Sequence, residues 1–224
     1  MRFYYIMNIF RTNDCPIQSA REHCDVHVTK MILEYSQLLS TVLRLKSGIP
    51  MEIYRKPEAK KKKLTYVLPS DTIVDEVLVD NKVYIHTHEN HPSVLWVMES
   101  ISNYEWLVEC LQELHQLFHD RRGKYHKSLG MFEYIFIPPF EAMEDKGLLS
   151  NYLAISEENY PFVHLFHKDE PLVAYQVYMN IKLREWEVNK GKKYCFPEGE
   201  PEWFSHDLKD IYFHLNESHK KQAA

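Results

Sequence analysis

The chain has 224 residues, of which 45% are hydrophobic, and carries a formal net charge of −5 with thirteen histidines besides. That length supports one substantial core, and the acidic balance excludes a global basic field, so any nucleic-acid contact has to come from local clusters. Six Gly against eleven Pro and fifteen Tyr favour helices over a turn-rich sandwich or barrel. The expectation is an all-α (α-rich) single domain over residues 1–224, with a small β-hairpin and basic-loop insertion at 49–90.

In chain order, Arg2 to Phe10 reads as a short β-type segment or aromatic anchor, with Met7 as a second possible start. Asp14 and Pro16 open a short helix, and a long one follows from about Asp25 to Lys46, stopped by Gly48 and Pro50. Arg55 to Lys63 is a solvated basic loop able to contact phosphate, and Val77 to Ile85 alternates around a turn at Asp80-Asn81, as a hairpin does. Helical periodicity resumes at Pro92 and runs in two pieces to about Arg121, where a Gly-stopped basic turn, Arg122-Gly123-Lys124, ends it. A further short helix is expected over Ser128 to Tyr134, residues 140–168 give no clear pattern, and Pro171 opens another long helix capped by Asp169 or Glu170. The tail is loop-like except for a short amphipathic piece at Asp207 to Leu215.

Cys15, Cys24, Cys110 and Cys195 form no CxxC pair, which speaks against a zinc knuckle or disulfide framework and for a reducing compartment. No run of about 18 apolar residues marks a membrane span, and the first ten residues are too short and aromatic for a signal peptide. A cytoplasmic protein that engages no membrane is expected; the oligomeric state is not legible.

The chemistry-bearing stretch is His23 to Gly48. At roughly 100° per residue, His23, His27, Lys30, Glu34, Gln37 and Thr41 fall within about 40° of one line, beside a broad apolar face running from Val28 to Leu45. The remaining side carries Val26, Thr29, Leu33 and serines, so the polar stripe is partly enclosed. Ionisable groups in such a position are where perturbed pKa values concentrate. The plain alternative is an exposed face with an i,i+4 Lys30–Glu34 pair.

Several blocks, His23-Cys-Asp-Val-His27-Val-Thr-Lys30-Met-Ile-Leu-Glu34, Asn90-His91-Pro92 with Trp96, Asn103-Tyr104-x-Trp106-Leu107, Arg122-Gly123-Lys124-x-His126 and Pro171-x-x-Ala174-Tyr175-x-x-Tyr178 with Lys182 and Trp186, resemble a family of small bacteriophage proteins. The likeness spreads from about Asn8 to Trp203, and those relatives begin at the position of Met7. More distantly, Asp25-x-His27-x6-Glu34 is similar to the spacing in phage pyrimidine-dimer DNA glycosylases with AP-lyase activity, small all-α enzymes in which an early carboxylate works beside the N-terminal amine. The resemblance implies Glu34 as the catalytic carboxylate and a host-cell cytoplasmic location. It departs from that pattern in its longer, aromatic N-terminus and acidic charge, so Lys30 stands in for the amine or the chemistry differs.

Three readings follow. The first is an enzyme acting on a nucleobase or N-glycosidic bond in nucleic acid, DNA foremost, or a nucleotide, without a cofactor. Its catalytic candidates are Glu34, Lys30, His27 and His91, and its substrate-binding candidates are His23, Trp96, Asn103, Arg122, Lys124, His126, Tyr175, Tyr178 and Lys182. The second is a metal-dependent hydrolase using His23 and His27, although no glutamate lies between them as the metalloprotease signature requires and Lys30 would repel a cation. The third is a non-catalytic viral accessory or nucleic-acid-binding protein.

Overall fold

The computed structural model describes residues 8–223. Among them the chain runs α1 (Pro16–Arg21), α2 (Asp25–Ser47), β1 (Ile49–Ile53), β2 (Lys63–Val67), β3 (Thr72–Val74), β4 (Val77–Asp80), α3 (Pro92–Glu99), α4 (Ile101–Arg122), α5 (Phe132–Ile135), α6 (Pro161–His167), α7 (Pro171–Lys190) and α8 (His206–Ala223). The molecule is helix-rich, with two small antiparallel hairpins that make it mixed rather than strictly all-α. No helix among the described residues is long and apolar enough to cross a membrane.

Local sequence explains most helix boundaries. Pro16, Pro92, Pro161 and Pro171 each occupy a first-turn position, where the missing N–H has no intrahelical partner to lose. The His91 ring Nδ1 accepts a hydrogen bond from the Ser93 amide at 3.2 Å and caps α3. At the far ends of α4 and α7, Gly123 and Gly191 adopt left-handed φ values of 62° and 56°.

The apolar face of α2 forms the centre of the core: Val28, Met31, Ile32, Tyr35, Leu38, Leu39 and Val42 are at most 2% exposed. It packs on α3 and α4, α1 packs on α4, and α6, α7 and α8 pack together.

The insertion differs from the expectation in register. The expected turn at Asp80-Asn81 is instead the end of a hairpin, β3–β4, whose turn is Asp75-Glu76, with φ of 48° and 62°. Two successive left-handed residues match the right-handed strand twist, and here an Asp-Glu pair accepts that conformation without the usual glycine. Residues 54–62 connect β1 to β2, and the last lysine of the basic segment, Lys63, opens β2; the strands pair with Ile49 opposite Val67 and Ile53 opposite Lys63.

A buried ion pair fixes this insertion to α2. Arg44 and Asp71, both fully buried, are bonded twice, at 2.6 and 2.9 Å, while Arg44 also donates to the Tyr66, Val83 and Tyr84 carbonyls. At the junction a Cβ on Gly48 would lie 2.6 Å from the Arg44 carbonyl oxygen and 2.8 Å from Tyr66 Cβ, so only glycine lets the hairpin approach this closely.

Other expectations are corrected in detail. Asp14 does not cap α1; its carboxylate takes a bond from Arg11 at 2.6 Å. Glu170 precedes α7 without a side-chain cap bond. The patternless stretch contains α6, and the short amphipathic piece expected at 207–215 is the first half of the longer α8. The β segment expected at Arg2 to Phe10, the alternative start at Met7 and the N-terminal amine fall on residues 1–7, outside the described residues; Asn8 to Phe10 are buried and unpaired as strand.

A lysine-rimmed cleft beside Lys30 and Glu34

The N-terminal half of α2, the buried segment 8–12, the 154–160 loop, α7 and the end of α8 enclose a cleft of about 780 Å3. Lys30 enters it from α2; Tyr178, Lys182, Glu185, Trp186 and Lys190 enter from α7; Lys192 follows α7 and Lys220 comes from α8. Phe10, Asn8, Asn159 and Tyr160 complete the wall.

On the α2 side, Lys30 Nζ lies 3.0 Å from Glu34 Oε1; the lysine side chain is 42% exposed and the glutamate 6%. Glu34 Oε2 accepts from the Asn8 amide at 3.4 Å, and Asn8 Nδ2 donates to the Ala154 carbonyl at 3.1 Å. Burial raises the Glu34 carboxyl above its ordinary value, opposed by the Lys30 charge and its hydrogen bond. The result is a sheltered acid held one ion pair behind an open ammonium.

On the α7 side, Tyr160 donates to Glu185 at 2.9 Å and accepts from Lys182 Nζ at 2.8 Å. Lys182 and Lys220 both reach Glu185, at 3.2 and 3.5 Å. Burial, with Glu185 nearby, raises the Tyr160 and Tyr178 phenols, which therefore keep their protons. Lys192 sits 5.0 Å over the Trp186 ring, and the Tyr160 and Tyr178 rings meet edge to face at 4.7 Å. Neither Lys190 nor Lys192 has a carboxylate partner among the described residues. Five ammonium groups on an aromatic-walled cleft, balanced among the described residues by Glu34, Glu185 and Glu217, the last paired with Lys220 at 2.7 Å, leave a positive excess that favours an anionic ligand with a flat apolar part.

His27 lies beneath this cleft, 1% exposed, between the rings of Phe10 and Trp186 at 4.9 and 4.8 Å. Burial, then the charges of His23, Lys30, Lys182 and Lys192, lower its pKa well below the ordinary imidazole value, so it stays neutral. Its Nδ1 is 3.6 Å from the Cys24 sulfur. It supports the wall from behind.

Of the candidates named from sequence, Lys30, Tyr178 and Lys182 line the cleft, Glu34 lies directly behind Lys30, and His27 lies under it. The others are placed elsewhere. His91 caps α3 and is not part of the lining. His23 precedes α2 and is buried, its Nδ1–H donating to the Ser19 carbonyl at 2.7 Å and its Nε2 facing the Tyr35 hydroxyl at 3.4 Å. Trp96 is fully buried, with its indole N–H on the Leu149 carbonyl at 3.1 Å, so it offers no stacking face to a base. Asn103, also fully buried, bridges the Trp96 carbonyl at 2.8 Å and the Leu149 amide at 2.9 Å, which uses both ends of its amide. Tyr175 is a buried strut, donating to Asn8 Oδ1 at 2.8 Å. Arg122 and Lys124 are exposed at the end of α4, and His126 accepts from the Ser128 amide at 3.2 Å.

The bihistidine metal reading meets the same geometry. His23 and His27 face the core, and no group of three or more His, Cys, Asp or Glu side chains among the described residues is arranged to hold a metal ion.

Sequence reading missed Asn8, Phe10, Tyr160, Glu185, Lys190, Lys192 and Lys220 as members of the site. For α7 a signal was present: Tyr178, Lys182 and Glu185 recur at spacings of four and three, on one helical face. Comparison of the chain with protein-family models, curated proteins and solved structures finds no match.

Proposed function

We propose that the protein is a nucleic-acid enzyme acting on a nucleobase or its N-glycosidic bond, similar in chemistry to the phage glycosylase/AP lyases whose spacing its sequence resembles. One observation carries the reading: a half-exposed amine opens onto a cleft that pairs lysines with aromatic walls, and a sheltered carboxyl of raised pKa lies 3.0 Å behind it. Lys182, Lys190 and Lys192 contact phosphate, and Tyr178 and Trp186 face the base. Glu34 stabilises positive charge that develops on the sugar as the base departs. At an abasic sugar the Lys30 ammonium passes a proton to Glu34, the free amine adds to the C1′ aldehyde, and loss of water gives an imine.

The test is borohydride reduction on duplex DNA carrying an abasic or damaged nucleotide. The expected result is a covalent adduct with the wild-type chain, lost in Lys30→Ala, and turnover reduced by about 10²-fold or more in Glu34→Gln. Absence of any adduct or strand cleavage, with Glu34→Gln indistinguishable from wild type, would overturn the reading.

A further inference from the structure

We infer that the β1–β2 hairpin is a contact surface for a nucleic-acid backbone, which makes the ligand a polynucleotide rather than a free nucleotide; the inference deepens the reading above and rests on it for the identity of the anion. Between Arg55 and Lys63 the chain carries six basic side chains against one carboxylate, within a molecule whose net charge is −5. Three of these cations are tied down. Lys56 pairs with Glu58, Lys62 pairs with Glu76, and Arg55 is spent on the Leu64 carbonyl and Thr65 hydroxyl. Lys60, Lys61 and Lys63 are exposed and have no carboxylate partner among the described residues.

An ordinary solvated loop needs no rigid support, yet this one has it. The doubly bonded Arg44–Asp71 pair, fully buried, fastens the insertion to α2, and Gly48 lets β1 leave the helix at close range. The same helix carries Lys30 and Glu34. The eighteen residues from Lys30 to Gly48 span about 27 Å at about 1.5 Å per residue, or roughly eight nucleotide steps of about 3.4 Å. A free nucleotide cannot span the distance from Lys30 to the base of the hairpin at Gly48, whereas a short stretch of strand or duplex can. Charge complementarity favours phosphate, and the absence of large apolar side chains between Arg55 and Lys63 disfavours insertion into a lipid surface.

The experiment uses the full chain and the triple variant Lys60→Ala/Lys61→Ala/Lys63→Ala, with Glu34→Gln in parallel. Binding of a fluorescent oligonucleotide of about 20 nucleotides, single-stranded and duplex, is followed by anisotropy between about 50 and 200 mM salt. Thymidine monophosphate binding is measured by calorimetry, and retention on phosphatidylserine vesicles by sedimentation. The triple variant is expected to lose about tenfold or more in oligonucleotide affinity at low salt and to flatten the log K against log salt slope by about two to three. Its thymidine monophosphate binding and melting temperature stay at wild-type values.

Equal oligonucleotide affinity and slope in variant and wild type would overturn the inference. So would nucleotide binding without oligonucleotide binding, a result that leaves the cleft reading standing, or lysine-dependent retention on vesicles alone. Lysine-dependent DNA binding with no effect of Glu34→Gln on any reaction would uphold the hairpin and remove the cleft chemistry.

Discussion

Acid should unfold this protein through His23, and the size of the effect follows from its burial. The ring is 1% exposed, and its pKa falls from about 6.5 to about 4, chiefly because burial disfavours the charged form; the Ser19 carbonyl and Glu22 only partly restore it. Between those two values the unfolded chain binds a proton at this residue and the folded chain does not. Stability from this site is therefore full above the ordinary value and is lost as pH falls toward the lower one. Integrating the two titrations gives a loss of about 2 kcal/mol between about pH 7 and about pH 5. Glu34, whose carboxyl is raised, works in the opposite direction, while His27, His86 and His115, lowered by burial like His23, add to its effect, so the pH dependence of the wild type alone would mix them all. The clean measurement is a difference. His23→Gln is neutral throughout, and urea unfolding of both chains at the two pH values should show the gap between them shrinking, or reversing, by about 2 kcal/mol on acidification. A gap that does not change with pH would mean that the folded chain protonates His23 normally, and the argument that its site is closed to charge would fail.

Two further outcomes test the supports of the site. Arg44→Met leaves the Asp71 carboxylate buried with the Leu68 amide as its remaining donor, and should cost about 3–5 kcal/mol, with hydrogen-exchange protection lost first across residues 49–85; adding Asp71→Asn should recover part of the loss. Asn103→Ala strands the Trp96 carbonyl and Leu149 amide and should cost about 2–4 kcal/mol by urea unfolding, while ligand affinity of the folded fraction stays at the wild-type value.

Helix boundaries were readable because their causes are local. Pro92, Pro171 and Gly123 stop or start helices through the backbone of their own turn, and α2 to α4 lie within a residue or two of where such signals place them. The insertion was harder because its register is set at a distance. Asp71 is positioned by Arg44, twenty-seven residues earlier, and no alternation around Asp80 reports that constraint. Helix α6 was hidden for a similar reason: Phe162 and Val163 are buried among partners from α7 and α8, and the segment's own seven residues hold little periodicity.

The site shows the limit of a helical wheel more sharply. A wheel groups residues by angle but carries no mark for which angle faces a neighbour, so His27, Lys30, Glu34 and Thr41 looked equivalent. In the structure Lys30 opens to the cleft, Glu34 shelters behind it, His27 is wedged against Phe10 and Trp186, and Thr41 accepts from the Thr87 amide at 3.3 Å. His23 precedes the first turn of α2, where the wheel does not apply. The opposite wall comes from residues more than 120 positions away, and Glu185 draws Tyr160, Lys182 and Lys220 together only after α6, α7 and α8 have packed. The Lys30–Glu34 pair could be read from one helix; the lysines gathered opposite it are a product of tertiary assembly.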